Sequence, residues 1–230
     1  MPFFYFDYYY LLLVVPALII AMVAQIKVQS TYKKYAQIAS RSGITASEMT
    51  RRMLDTSGLT HVDVVHIGGN LTDNFNPKKQ TISLSDPVYG SSSVAALGVA
   101  AHEAGHALQH AEGYFPLVLR SAIVPITQFG SAITPWLIIL GLIFSFPVLI
   151  DVGIVFFGLA VFFQLVTLPV EFNASRRALA SLESSGVLAA DELGMTKRVL
   201  SAAAMTYVAG LLVSLMSFLR ILLLFGNRRK

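Results

Sequence analysis

Two imidazoles and a carboxylate stand together at His102-Glu103-Ala104-Gly105-His106. On a helix, positions i and i+4 share a face and lie about 6 Å apart along the axis, so His102 and His106 can hold one ion between them. Glu103, one position along, reaches a water beside that ion rather than the ion itself, which is where a general base for hydrolysis belongs. The flanking run Val94-Ala95-Ala96-Leu97-Gly98-Val99-Ala100-Ala101 is apolar. Three polar groups in such a helix are costly to bury without a strong partner, and a metal supplies one. The chain has no cysteine, so thiolate sites and disulfides are excluded and any metal must be held by histidine and carboxylate.

Catalytic zinc takes three protein ligands and keeps one position open. His110 continues the same helical face, but it is eight residues from His102, about 12 Å along the axis, so one helix cannot bring all three imidazoles to one ion. It reads as a surface histidine or one that supports a ligand from behind, and His61 and His66 read as structural. Glu171 lies in Thr167-Leu168-Pro169-Val170-Glu171-Phe172-Asn173-Ala174-Ser175, at the polar end of an apolar stretch. A buried acid there requires a partner: a metal is one, and an ion pair with Arg176 or Arg177 is the other. Pro169 is expected to open the helix one turn earlier. Glu112, Glu183 and Asp191 are flanked by ordinary solvated-helix residues and are weaker candidates.

The elements that must position these groups follow from hydropathy. The 230 residues are 55% hydrophobic and 13% charged, with a mean hydropathy of +0.65, outside the usual soluble range. Four apolar stretches, at about 11–26, 122–146, 148–170 and 202–225, are expected to span a bilayer. An aromatic belt at 3–10 precedes the first, and no Lys or Arg occurs before Lys27, which favours a retained anchor over a secretory signal. The break at Phe146-Pro147 makes the middle two a hairpin, and Arg220 must snorkel or pair. Polar regions at about 27–120 and 171–198 then fall on one side of the membrane. Thirteen Lys and Arg lie on that side, against three in the tail Arg228, Arg229, Lys230, so it is expected to be cytoplasmic. The net charge of +4 forms no long stripe, which argues against nucleic acid and for lipid headgroups.

Within the first polar region, 46–55 has helical spacing with Gly58 beyond its end, 62–67 and 80–85 read as two paired strands separated by a turn-forming segment at 68–77, and Ser91 to Ser93 cap a helix over about 94–112. Gly98 and Gly105 are expected to admit a close neighbour. The fold class is mainly α: one multi-pass membrane domain over 1–230, with about four transmembrane helices and a small α+β subdomain containing a short β-hairpin.

At these residues the chain closely resembles the YugP-type family of neutral zinc metallopeptidases of bacterial membranes. The resemblance is carried by Ser42-Gly43-Ile44-Thr45, Leu71-Thr72-Asp73, Leu84-Ser85, Ser93 to Ala96, the stretch 100–109, the block 167–177, Leu200 to Ala204 and Thr206 to Ala209. It implies a zinc-dependent membrane peptidase with His102, His106 and Glu171 as ligands and Glu103 as catalytic base. A more distant likeness to HtpX-type membrane proteases supports Glu171, since they carry a Glu shortly before Ala-Asp on a later helix. Here Ala174 is followed by Ser175, so a different group must orient a histidine that the Asp would orient. A second departure is Asp73-Asn74-Phe75-Asn76-Pro77, where the family pattern reads Asp-His-Tyr-Asp-Pro. Asn74 then keeps a turn role and no metal role.

The expected chemistry is endopeptidase cleavage with one Zn2+, although other divalent transition metals suit the same donors. The strand at 80–85 either pairs with an extended peptide or is covered by 62–67 on one edge and protein on the other. Asn173, Arg176 and Arg177 are candidates for stabilising an oxyanion, with structural roles the simpler reading of the arginines. Two alternatives belong to other classes: a noncatalytic scaffold that zinc stabilises, and a transporter using Asp151, Glu171 and Arg220. The sequence specifies neither substrate nor oligomeric state.

Overall fold

A computed structural model describes residues 7–225; positions 3–6 of the aromatic belt and the basic tail Arg228 to Lys230 lie outside the described residues. The protein is mainly α, with seven α-helices and one three-stranded sheet among the described residues. The helices are α1 (Val15–Tyr35, entered through a π-helical turn at Tyr10–Val14), α2 (Ala46–Thr56), α3 (Asp86–Tyr89), α4 (Val94–Ala111), α5 (Phe115–Ile143), α6 (Pro147–Ser184) and α7 (Ala190–Phe225). Four of them, Tyr10–Tyr35, Phe115–Ile143, Pro147–Ser184 and Ala190–Phe225, are long and apolar enough to cross a bilayer. The chain separates into two compact units. One is built from Val118–Pro169 with the chain before Ile26 and after Ala204; the other is Ile26–Leu117 with Val170–Ala204.

The first unit is inverted relative to a water-soluble core. Large apolar side chains such as Ile19, Trp136, Ile143 and Val155 are exposed along its helices. A continuous apolar exterior of this kind suits hydrocarbon as the solvent. Inside it, small residues bring helices together. A Cβ on Gly130 would lie 2.6 Å from Phe156, and one on Gly141 would lie 2.7 Å from Ile150, so α5 and α6 meet at glycines. Thr127 and Thr134 return their hydroxyls to carbonyls of α5 itself, at Ile123 and Gly130. Arg220 pairs with Asp7, donating from Nε over 2.8 Å, which meets the requirement its depth in an apolar helix imposes. Helix α5 ends at Ile143; Ser145 turns the chain at φ +52°, and Pro147 opens α6 where its missing N–H costs nothing.

The second unit carries a conventional core. Leu54, Ile82, Leu84, Val94, Leu97 and Leu182 are fully or almost fully buried in it. Thr45 starts α2 with a reciprocal capping box to Glu48, and Gly58 follows the helix at φ +74°. Ser93 caps α4 by accepting from the Ala96 N–H, as its position predicts. Ser40 and Val94 extend this anchoring through backbone bonds to Ser92 and Ile38, which fasten the start of α4 to the segment after α1.

The sheet differs from the expectation. Its strands β1 (Asp63–Ile67), β2 (Asn74–Asn76) and β3 (Thr81–Ser85) stand in the order β1-β3-β2. The two expected strands do pair, but in parallel, with Val64 opposite Ile82. The hairpin is formed by β2 and β3, antiparallel, with Phe75 opposite Ile82. The extra strand lies inside the segment expected to be only a turn, and that additional reversal makes β1 and β3 run the same way. Asn74 and Asn76 keep the turn chemistry expected of them: Asn74 donates to the Thr72 carbonyl, and Asn76 Oδ1 accepts from Lys78 and Lys79 N–H. With β1 on one side and β2 on the other, β3 has no free edge, so the reading in which this strand adds a peptide is overturned.

Candidate metal centre

Helix α4 is lined with small side chains. Ala95, Ala96, Gly98, Ala100, Ala101, Ala104, Gly105 and Ala107 are all buried, which lets other helices approach its axis closely. The closest approach is at Gly105, where a Cβ would lie 2.6 Å from the Ala174 carbonyl oxygen of α6. At Gly98 the neighbour is the Thr196 side chain of α7, at 2.7 Å from the same construction. The glycine inside the His102–His106 motif is therefore a backbone contact. It sets α6 against α4 so closely that Glu171, one turn before Ala174, and Ser175, immediately after it, reach the histidines.

Glu171 and Ser175 are four residues apart and share a face of α6. Between them they meet both nitrogens of His102: Glu171 Oε2 lies 3.2 Å from Nε2, and Ser175 Oγ lies 3.1 Å from Nδ1. His106 Nε2 is 3.6 Å from the same Glu171 oxygen. The two rings are nearly perpendicular, 81° between planes, with centroids 4.7 Å apart. Donor atoms of His102, His106 and Glu171 all lie within 4.8 Å of one another. Two ligands bound about 2.1 Å from one tetrahedral ion stand about 3.4 Å apart, so the Nε2 to Oε2 separations match a shared zinc and the His/His/Glu donor set is one it accepts. Glu171 is 2% exposed. A buried carboxylate facing two imidazoles is a cation site by its electrostatics alone.

The field in the pocket can be read from His106. Burial opposes its charged form, yet hydrogen bonding to Glu171 and the charges of Glu103 and Glu171 outweigh burial and raise its pKa above the ordinary histidine value. The field that favours a proton on this ring equally favours a divalent cation at its Nε2. Glu103 is half-buried on the same helix and has no hydrogen-bond partner among the described residues, which leaves its oxygens free to accept.

The remaining candidates lie elsewhere. His110 is exposed, its ring 5.8 Å from Phe75 of β2. His66 pairs with Asp86 at 2.8 Å, and His61 is exposed. Asp191 pairs with Arg41, and Glu112 takes the guanidinium of Arg177 through both its oxygens. Arg177 also donates to Asn173 Oδ1, so both residues serve a structural network; Arg176 is exposed. Helix α6 passes through Pro169 unbroken, contrary to the opening expected there. Continuity across this turn keeps Val170, Glu171 and Ala174 in helical register.

Two residues of the site escaped the sequence reading. Ser175 was noticed only as the absence of an Asp, yet its hydroxyl occupies the position from which that Asp would meet a histidine. Gln109 follows His106 by three residues and is fully buried, with Oε1 3.0 Å from His106 Nδ1. Its i, i+3 spacing on the metal face was a usable signal.

Comparison with known proteins identifies the family. The chain is 46% identical over 220 residues to a Bacillus subtilis (strain 168) protein named "Putative membrane protease YugP", an alignment covering 96% of this chain and 98% of that one. No solved structure matches. The family model described as "Putative neutral zinc metallopeptidase" matches residues 10–226, and with nearly the whole chain covered, this membrane protein belongs to that zinc metallopeptidase family.

Proposed function

We propose that the protein is a membrane endopeptidase that holds one zinc ion through His102 Nε2, His106 Nε2 and Glu171 and cleaves peptide bonds with Glu103 as general base. The observation that carries the reading is the convergence of both Nε2 atoms on a single buried carboxylate oxygen, next to a carboxylate with no partner among the described residues. Zinc at that point supplies Lewis acidity, which polarises the scissile carbonyl and eases loss of a proton from the attacking water. Glu103 accepts that proton on its carboxylate and returns it to the departing amine nitrogen, so the residue ends the cycle ionised. Glu171, being buried and engaged by both imidazoles, is unsuited to shuttle protons and serves as a ligand. Membership of a zinc metallopeptidase family supports zinc-dependent peptide hydrolysis. The site faces the cytoplasmic side in this proposal, on the strength of the basic residues in 27–120 and 171–198.

The test is zinc content and peptide hydrolysis measured side by side on wild type, Glu103→Gln and Glu171→Gln in detergent. Glu103→Gln is expected to retain zinc and to lose hydrolysis by at least about a hundredfold, the scale of a lost general base. Glu171→Gln is expected to lose both. Hydrolysis by Glu103→Gln at the wild-type rate rejects the mechanism; a wild type that binds zinc and cleaves nothing in a broad peptide library favours a zinc-stabilised scaffold.

A further inference from the structure

We propose that Gln109 is a positioning residue that locks His106 in the Nδ1–H tautomer and so reserves Nε2 for the metal. This rests on the reading of His102, His106 and Glu171 as ligands, and goes beyond it by assigning what orients one of them.

The assignment follows from a chain of hydrogen bonds that begins at a group with no choice. Arg177 can only donate. Its Nη atoms are held by both Glu112 oxygens, at 2.5 and 2.7 Å, and its Nε lies 2.7 Å from Asn173 Oδ1, which fixes Asn173 with its oxygen toward Arg177. The same Oδ1 lies 2.9 Å from Gln109 Nε2, and the Val170 carbonyl, which can only accept, lies 2.8 Å from that nitrogen. The Gln109 amide therefore directs its NH2 at two acceptors. Turned over, it would set Oε1 against two oxygens in a place where its side chain is wholly excluded from water. Oε1 is left facing His106 Nδ1 at 3.0 Å, and an amide oxygen there requires that Nδ1 carry the hydrogen.

His102 is oriented less strictly. The Ser175 hydroxyl can donate or accept, so it positions that ring without dictating its tautomer. The constraint thus passes from Glu112 through Arg177, Asn173 and Gln109 to His106, with Asn173 Oδ1 accepting from Arg177 on one side and Gln109 on the other. A neutral acceptor at its end holds the imidazole in place without adding charge to a pocket that already contains Glu103 and Glu171. Partners of this kind commonly change metal affinity by about 10–100-fold.

The experiment titrates metal-free protein in detergent with zinc against a chromogenic chelator, and records the visible spectrum of the Co2+ form. Gln109→Met, similar in size and without the amide, is expected to bind zinc about 10–100-fold more weakly and to alter the Co2+ bands. Equal affinity in wild type and Gln109→Met overturns the proposal, whereas a wild type without zinc affinity removes the ligand reading beneath it. A measurement that keeps Gln109 guards against a variant that fails to fold. In the His61→Gln/His66→Gln/His110→Gln background, [15N]histidine NMR of the zinc form reads only His102 and His106. A His106 ring protonated at Nδ1 supports the proposal, and a His106 ring coordinated through Nδ1 overturns it.

Discussion

Ser175 illustrates how one atom's worth of chemistry is settled by packing. The HtpX-like pattern has a carboxylate at this position, and a serine there read as a loss; the short distance between α4 and α6 at Gly105 instead brings the hydroxyl within 3.1 Å of His102 Nδ1. The grouping of His102, His106 and Glu171 was legible, the two histidines through residue type and fixed helical spacing and Glu171 through its place at the polar end of an apolar stretch and the family resemblance. Ser175 and Gln109 were not, because serine and glutamine have many ordinary uses and their partners here lie across a helix contact whose register no single segment encodes. A consequence is measurable at the residue scale. Ser175→Ala is expected to lower zinc affinity about tenfold, the small end of the range for groups that orient a ligand, because a neutral hydroxyl contributes less than a carboxylate. Ser175→Asp is expected to bind at least as tightly as wild type, and chelator competition separates the two. A Ser175→Ala protein with unchanged affinity would show that Glu171 alone orients His102.

At the scale of elements, the helices were readable and the sheet was only half readable. Apolar length marks the four long helices, and Thr45, Ser93 and Gly58 mark the ends of α2 and α4 through local capping. Strand direction depends on how many reversals lie between strands, and the three-residue β2 is too short to announce itself by alternation. The α4–α6 contact is the element-scale feature on which the site depends. Gly105→Ala places a methyl 2.6 Å from a backbone oxygen, which cannot rotate away, so the helices must separate. Overpacking of this kind costs about 1–3 kcal/mol. Thermal unfolding in detergent is expected to shift downward accordingly. Zinc should restore less of the loss than it stabilises wild type, because Glu171 and Ser175 move away with α6. Gly98→Ala meets only a Thr196 methyl, and a smaller shift is expected. Equal shifts, with full zinc stabilisation in both, would mean that the Gly105 contact does not set the metal geometry.

Across the whole molecule, the decisive constraint is that segments 26–117 and 170–204 share one compact unit although two apolar segments separate them in sequence. A shared core, with Leu54 and Leu97 from the first segment and Leu182 from the second, requires both on the same side of the membrane. The two crossings between them, by α5 and α6, satisfy that requirement, and a single crossing would not. Charge makes the cytoplasm the expected side, since Lys and Arg are retained preferentially there. The absence of cysteine makes the choice testable, because a single introduced thiol is the only one present. Ser42 and Ser185, exposed positions in the two segments, and Ser145, exposed between α5 and α6, are suitable sites. In intact cells an impermeant maleimide is expected to label Ser145→Cys, and to label Ser42→Cys and Ser185→Cys only after permeabilisation. Labelling of Ser42→Cys and Ser185→Cys from outside would invert the protein and give it extracytoplasmic substrates. Disagreement between Ser42→Cys and Ser185→Cys would break the four-crossing arrangement itself, and with it the meeting of Glu171 with His102 and His106, since these residues come from the two segments being compared.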